Sequence, residues 1–270
     1  MRKTPPSSFS DRRPANLVQA IARASVILDA LGRHPRGISV RDLSATVHLP
    51  KGTTHRLLAS LAHDGFVRQD AVTRDYFLGF KLVELGNLLI DQLDFRSVAR
   101  PFLLDLADRT GETVHMVVLD QNEVVYIDKV DFAAKPRGLG MVSRIGLRIP
   151  AHSCAVGKIF LAQFSQDMLT AFIEEKGLAG RTENTITEPQ KLEQHLALVR
   201  KHGYAVDDEE NEKGIRCVAA PVLNEKGQVV AAISISGPTI RISRKMAQET
   251  LRQQVMQTAF EISRQLGYRD

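Results

Sequence analysis

The sequence predicts an α+β chain in two parts: a small, basic, helical part, then a larger part in which an antiparallel sheet carries helices. Three observations carry this. Charge is unevenly spread: residues 1–80 hold twelve Lys and Arg against six Asp and Glu, whereas residues 81–270 hold 24 against 25. The first third breaks into short helical periods separated by tight polar turns. From about residue 97, helical periods alternate with strand-like runs. A basic excess confined to one end points to a polyanion partner there and to a different task for the remainder. With 43% hydrophobic and 25% charged residues, the 270-residue chain has ample apolar material for one or two domains.

Residues 1–15, MRKTPPSSFSDRRPA, are polar and proline-bearing, and they read as a disordered tail. No apolar stretch follows the basic start, so it is not a secretory signal. Charges interrupt every hydrophobic segment, so none reaches membrane-spanning length. Two cysteines, Cys154 and Cys217, make no disulfide framework, and the expected compartment is a reducing cytoplasm with no membrane partner.

Leu17, Ala20, Ile21, Ala24, Ile27, Leu28 and Leu31 fall at helical spacing and stop at Gly32. Ser39 with Asp42 has the form of a capping box before a short helix through Leu43 and Val47. Pro50 starts a third helix, which ends near His63 and Gly65. One face of this helix is Leu57, Leu58 and Leu61, with Thr54 on the same stripe. The other shows Lys51, Gly52, His55, Arg56, Ala59 and Ser60. Small residues let a helix approach a groove, and the basic ones supply donors to base edges and phosphates. GFVRQDAVTRDYFL then reads as a two-stranded hairpin bearing Arg68 and Arg74. The order of helix, short helix, turn, helix and basic hairpin is that of a winged helix-turn-helix over residues 16–79. Residues 80–96 form a helix apolar around most of its circumference, expected to link the two parts and to contact a second copy.

Residues 97–270 give a helix ending at Gly111, strands TVHMVVLD and EVVYIDKVD joined by Gln121-Asn122, and a further strand and loop before Ala151. Three helices follow, then strands GYAVD, IRCVAAPVL and VVAAISISG, and a closing helix over roughly 244–267. Catalytic motifs are missing. AVGKI lacks the first glycine of a phosphate-binding loop and the hydroxyl after its lysine. No nucleophile elbow, HExxH or CxxC occurs. His152, Cys154, Asp207 and Cys217 are metal-type residues without ligand spacing, and neither a metal nor another cofactor is expected. A binding pocket fits better. Small residues at the SCAVGK helix start favour an anion, and SISIS puts Ser234 and Ser236 on one strand face.

LPKGTTHRLLASLAHDGFV, IPAHSCAVGKIFLA and GYAVDDEENEKGIRCVAAPVLNEKGQVVAAISISGP, in that order, resemble the IclR family of bacterial transcriptional regulators from about residue 16 to the end. The resemblance implies a winged helix-turn-helix, a linker helix, and a C-terminal GAF-like effector domain with a curved antiparallel sheet. It implies dimers, or dimers of dimers, on operator DNA. Carried over, Ser39, Lys51, Thr53, Thr54, His55, Arg56, Arg68 and Arg74 would meet DNA, although Thr54 also suits the core. The backbone at Ala155 and Val156, with Asp207, Cys217, Ser234 and Ser236, would form the polar side of an effector pocket, and Leu139 and Met141 its apolar side. Asp208, Glu209 and Glu210 would shape the turn or meet solvent. Ala155 and Val156 stand where the family often has glycine and alanine, and Leu223 where it usually has an aromatic residue. RTENTIT, MVSRIGLRIPAHSCAVGK and ISRQLGYRD are most similar to the subgroup regulating sugar-acid catabolism, such as the 2-keto-3-deoxygluconate regulator. The expectation is a repressor sensing a keto-deoxy sugar acid. A regulator of aromatic-acid catabolism is one alternative, and a sugar-acid enzyme with an N-terminal docking module is another.

Overall fold

A computed structural model describes residues 17–92, 94–131 and 143–269. The tail expected over residues 1–15 lies outside this range, as do Leu139 and Met141. Contacts divide the chain into two units after Gln92.

The first unit holds helices α1 (Gln19–Gly32), α2 (Val40–Thr46) and α3 (Lys51–His63), strands β1 (Val67–Gln69) and β2 (Tyr76–Leu78), and helix α4 (Lys81–Asp91). Ser39 caps α2, with Asp42 answering through its side chain. Ser39 Oγ accepts from the Asp42 amide at 3.2 Å and donates to Asp42 Oδ2 at 2.7 Å. His48 turns the chain between α2 and α3 with φ 53°. Ile27, Leu31, Leu43, Leu58, Val67 and Tyr76 close one small core. The hairpin is antiparallel, with Val67 opposite Leu78 and Gln69 opposite Tyr76. Asp70 shapes its turn by accepting the Val72 and Thr73 amides. A glycine is required at Gly79, where a Cβ would lie 2.0 Å from the Gly65 carbonyl oxygen.

The second unit opens with α5 (Asp94–Thr110), so the helix expected to start at 97 begins three residues earlier and takes the end of the predicted linker. The hairpin β3 (Thr113–Asp120) and β4 (Glu123–Val130) turns at Gln121 and Asn122, both with positive φ. Next come β5 (Arg148–Pro150), a 3-10 turn at Ala151–Ser153, and α6 (Ala155–Leu161), α7 (Gln166–Lys176) and α8 (Pro189–His202). Strands β6 (Ala205–Asp208), β7 (Ile215–Leu223) and β8 (Val229–Pro238) follow. The short helix α9 (Arg244–Met246), a π-helical segment and α10 (Arg252–Gln265) close the chain.

The six strands form one curved antiparallel sheet in the order β5-β4-β3-β8-β7-β6. One face packs Leu103, Leu106, Val255, Ala259 and Ile262 of α5 and α10 against Val114, Met116, Val218 and Ile233. The opposite face packs Ile159, Phe172, Leu192 and Leu196 of α6, α7 and α8 against Val117, Val124, Ala219 and Ala232. Every residue of α6 is buried, and Gly157 lets it lie against the 3-10 turn, where a Cβ would meet the Ala151 carbonyl oxygen at 2.2 Å.

Candidate functional site

The outer face of α3 is open to solvent at Lys51, Gly52, His55, Arg56, Ala59 and Ser60, with Thr53 half-buried at its margin. Arg68 projects from β1 with its guanidinium 4.4 Å from the centre of the Phe77 ring, and Arg74 stands exposed in the hairpin turn. Among the described residues, Lys51, Arg56, Arg68 and Arg74 form no ion pair, although Arg68 lies near enough to Asp70 to act on its charge. Thr54 corrects the expectation. It is fully buried and its hydroxyl donates to the Pro50 carbonyl at 3.3 Å, so it packs the core and reads no base. The Ser39 hydroxyl is committed to its cap.

In the second unit the sheet register brings the predicted polar residues together. Asp207 pairs with Cys217 across β6 and β7, and Cys217 with Ser236 across β7 and β8. In the next row Ala219 is opposite Ser234, and Ser234 opposite His115. Ser234 and Ser236 are buried with their oxygens 3.4 Å apart. Ala155 and Val156, both buried, open α6 over the same face. The first amides of a helix have no partner within it, so they are free to meet an acceptor.

The acidic run divides its work. Asp207 is 2% exposed, and its Oδ1 accepts the Glu210 amide at 2.7 Å and the Asn211 amide at 3.3 Å. Burial pushes its pKa up to about 7, against the opposing pull of the Lys158 ammonium. Burial also pushes Asp208 up, but the Arg216 and Arg244 guanidiniums, each 2.6 Å away, hold its carboxyl below the usual range. Glu209 reverses the chain at φ 63° and accepts the Gly214 amide at 2.8 Å. Glu210 departs from the expectation of a turn-shaping or solvated acid. It is buried, with Oε1 2.5 Å from Lys158 Nζ.

Lys158 is the residue that sequence reasoning missed. It is fully buried, and its ammonium also donates to the Val206 carbonyl at 2.9 Å and lies 3.4 Å from His195 Nε2. The available signal was a lone lysine inside a helix otherwise made of small and apolar residues. His115 was missed too: buried opposite Ser234, it contacts Ser143 Oγ at 2.9 Å, and burial drops its pKa to about 3. The cysteines offer no nucleophile. Burial and then the Asp207 charge push the Cys154 thiol to about 12, and the same two causes push Cys217 well up. Among the described residues, no group of three or more His, Cys, Asp and Glu side chains is placed to hold a metal ion.

A winged helix-turn-helix with a basic outer face and, in the other unit, a sheet with buried polar groups fit a DNA-binding regulator with a sensor domain. A family model described as the IclR helix-turn-helix domain matches residues 20–71, and one described as bacterial transcriptional regulator IclR C-terminal matches residues 88–264. The chain belongs to the IclR family of bacterial transcriptional regulators and is not an enzyme. It is 38% identical to the HTH-type transcriptional regulator XynR of Escherichia coli K12 over 253 residues, 93% of this chain and 98% of that one. It is 37% identical to KdgR of the same organism over 260 residues, 96% and 97% of the two chains. The crystal structure of Thermotoga maritima IclR aligns with a TM-score of 0.75 at 36% identity, over 93% of this chain and 99% of that one.

Proposed function

We propose that the chain is a cytoplasmic repressor of a catabolic operon, released from its operator by a small hydroxylated organic acid, with a keto-deoxy sugar acid the best fit. The observation that carries this is hydrogen-bonding capacity left over on nearly buried side chains. Asp207 Oδ2 makes no hydrogen bond among the described residues, and Ser234 and Ser236 have hydroxyls directed chiefly at each other and at Cys217. Buried polar groups are normally satisfied, so this set fits a ligand that supplies several hydroxyls and carbonyls. The amides at Ala155 and Val156 would take its carboxylate. Similarity to KdgR supports the sugar-acid class. Lys51, Thr53, His55 and Arg56 would enter the major groove, and Arg68 and Arg74 would hold phosphates. Val83, Leu88 and Leu89 stand exposed on α4, which supports residues 80–96 as linker and contact in a dimer or dimer of dimers.

The test is a thermal-shift screen of the full chain against sugar acids, 2-oxo acids and aromatic acids, with binding to the promoter DNA beside its own gene remeasured under each hit. A sugar acid that raises Tm and weakens DNA binding is the expected result. Stabilisation by aromatic acids alone would move the effector class to aromatic catabolism, and turnover of a sugar acid would overturn the regulator reading.

A further inference from the structure

We propose that Tyr126 is a specificity-determining contact of the effector site: its phenol reads a hydroxyl on the end of the effector remote from the carboxylate. The proposal rests on the reading of the second unit as a sensor of a hydroxylated acid and names a residue outside the predicted set.

Tyr126 is aimed by a defect in the sheet. Val117 of β3 faces Tyr126, but the next residue back, Met116, faces Asp128, so Ile127 is an extra residue in β4. A bulge of this kind puts two consecutive side chains on one face and re-aims their neighbours. Ile127 packs into the core under α5, and Asp128 beside it pairs with Arg96 and Arg100 of α5. Arg96 Nε also takes the Ile127 carbonyl at 2.9 Å. With Ile127 and Asp128 held on that face, Tyr126 on one side and Lys129 on the other point to the ligand-facing side, where Lys129 Nζ reaches the Ser143 carbonyl at 3.0 Å. The Tyr126 backbone is fixed as well, its amide donating to Leu147 and its carbonyl accepting from Gly146.

The ring is set edge-on to His115, with centroids 4.9 Å apart. In a flat sheet the spacing between strands is about 4.8 Å, so β4 and β6 would stand roughly 19 Å apart. Yet Tyr126 and Cys217 of β7 pack against the same cluster as Cys154, Ala155 and Val156 at the start of α6, and Cys154, Cys217, Asp207 and Glu212 are the groups that, after burial itself, raise the phenol's pKa. The sheet therefore curls so that Tyr126 leans across its concave face toward the residues proposed to hold the ligand. Its Oη makes no hydrogen bond among the described residues. A phenol delivered into the mouth of a polar site with its donor and acceptor unused is matched by a ligand hydroxyl. Among the described residues, the lysines of this face, Lys158 and Lys129, are engaged by Glu210 and by Ser143 and Asp131, which suits a hydroxyl there better than a second carboxylate.

The experiment compares full-length wild type with Tyr126→Phe, which keeps the ring and its packing on His115, by isothermal titration calorimetry. Two matched pairs of probes are used. 2-Keto-3-deoxygluconate and pyruvate share a 2-oxo acid head, and only the first carries a hydroxylated tail. 4-Hydroxybenzoate and benzoate differ by one hydroxyl. In whichever pair wild type binds, Tyr126→Phe should weaken the hydroxylated member about tenfold and leave the other unchanged. Equal weakening of both members, no weakening of either, or a wild type that binds none of the four overturns the proposal. Wild type that binds the benzoates and not the sugar acid overturns the sugar-acid reading alone, while the tenfold difference within the benzoate pair still tests Tyr126.

Discussion

Lys158→Met replaces the buried ammonium with a side chain of similar length and should be among the most damaging substitutions in the second unit. The methionine fills the lysine stem's place, so little of the cost comes from a cavity. What changes is charge: Glu210, 5% exposed, loses the cation 2.5 Å from its carboxylate, and the Val206 carbonyl loses its donor at 2.9 Å. Removing one partner of a buried pair costs about 3–5 kcal/mol. For a domain of this size each kcal/mol moves Tm by roughly 2–4 °C, so the fall should be roughly 6–20 °C. The chain has no tryptophan, so unfolding is best followed by far-ultraviolet circular dichroism in urea and on heating.

The decisive comparison is the double variant Lys158→Met/Glu210→Leu. A buried pair replaced on both sides by apolar residues of similar volume is often neutral or stabilising, so the double variant should recover more than half of the loss. Because the pair is out of solvent, the single-variant loss should also persist in about 1 M salt, where an exposed pair would already be screened. A single variant within about 1 kcal/mol of wild type, or a double variant at least as damaged as the sum of the two singles, would refute the assignment of the cost to an uncompensated charge.

Other expectations follow from the same geometry. Arg56→Ala should cost about 1–3 kcal/mol on the cognate operator and relax specificity at one position, measured by fluorescence anisotropy on a base-substitution series. Arg68→Ala should weaken all sequences alike and flatten the salt dependence by about one counterion. Asp207 has its pKa raised by burial from 3.8 to about 7, so the native state keeps a proton that the unfolded chain has already released between those values. Its contribution is therefore full below the unfolded pKa and lost as pH rises through about 7. Asp207→Asn should remove that decline, by at most about 1.4 kcal/mol per pH unit, in urea melts from pH 4 to 8. Gly157→Ala should displace α6 and lower Tm, because its new methyl meets backbone at Ala151.

Features set by neighbouring residues were legible in the sequence. Gln121-Asn122 turns a hairpin because both take positive φ, Ser39 and Asp42 cap each other, and Ser234 and Ser236 share a face through the strand's period of two. The acceptable α3 face was legible because exposed and buried positions follow the helical period, and Thr54 was ambiguous because a threonine satisfies its own hydroxyl within a helix. Features set by distant residues were not legible. β3 pairs with β8 across more than a hundred residues, and that pairing alone puts His115 beside Ser234. The bulge at Ile127 leaves no mark in the alternation of EVVYIDKV that separates it from a regular strand. Lys158 finds Glu210 52 residues away, and nothing local to either reports the other.

The acid run Asp207–Glu210 shows why such a site resists reading by composition. As a strand, β6 would send Asp207 inward and Asp208 outward, and it does. Glu209 then takes a left-handed conformation, which brings Glu210 back inward beside Asp207. Two buried carboxylates side by side repel each other, and one lysine supplies one counter-charge. Lys158 pairs directly with Glu210, and burial pushes Asp207 to about 7 against the pull of that more distant cation and of two backbone amides. A carboxyl near its midpoint can donate to a ligand oxygen when protonated or accept from a ligand hydroxyl when ionised. Glu210 thus occupies Lys158, and on the proposed reading Asp207 is left to meet the effector. On this argument Lys158→Met/Glu210→Leu, even where it restores stability, should alter the pH dependence of effector binding, because the cation that lowers Asp207's pKa and the acid that raises it are removed together.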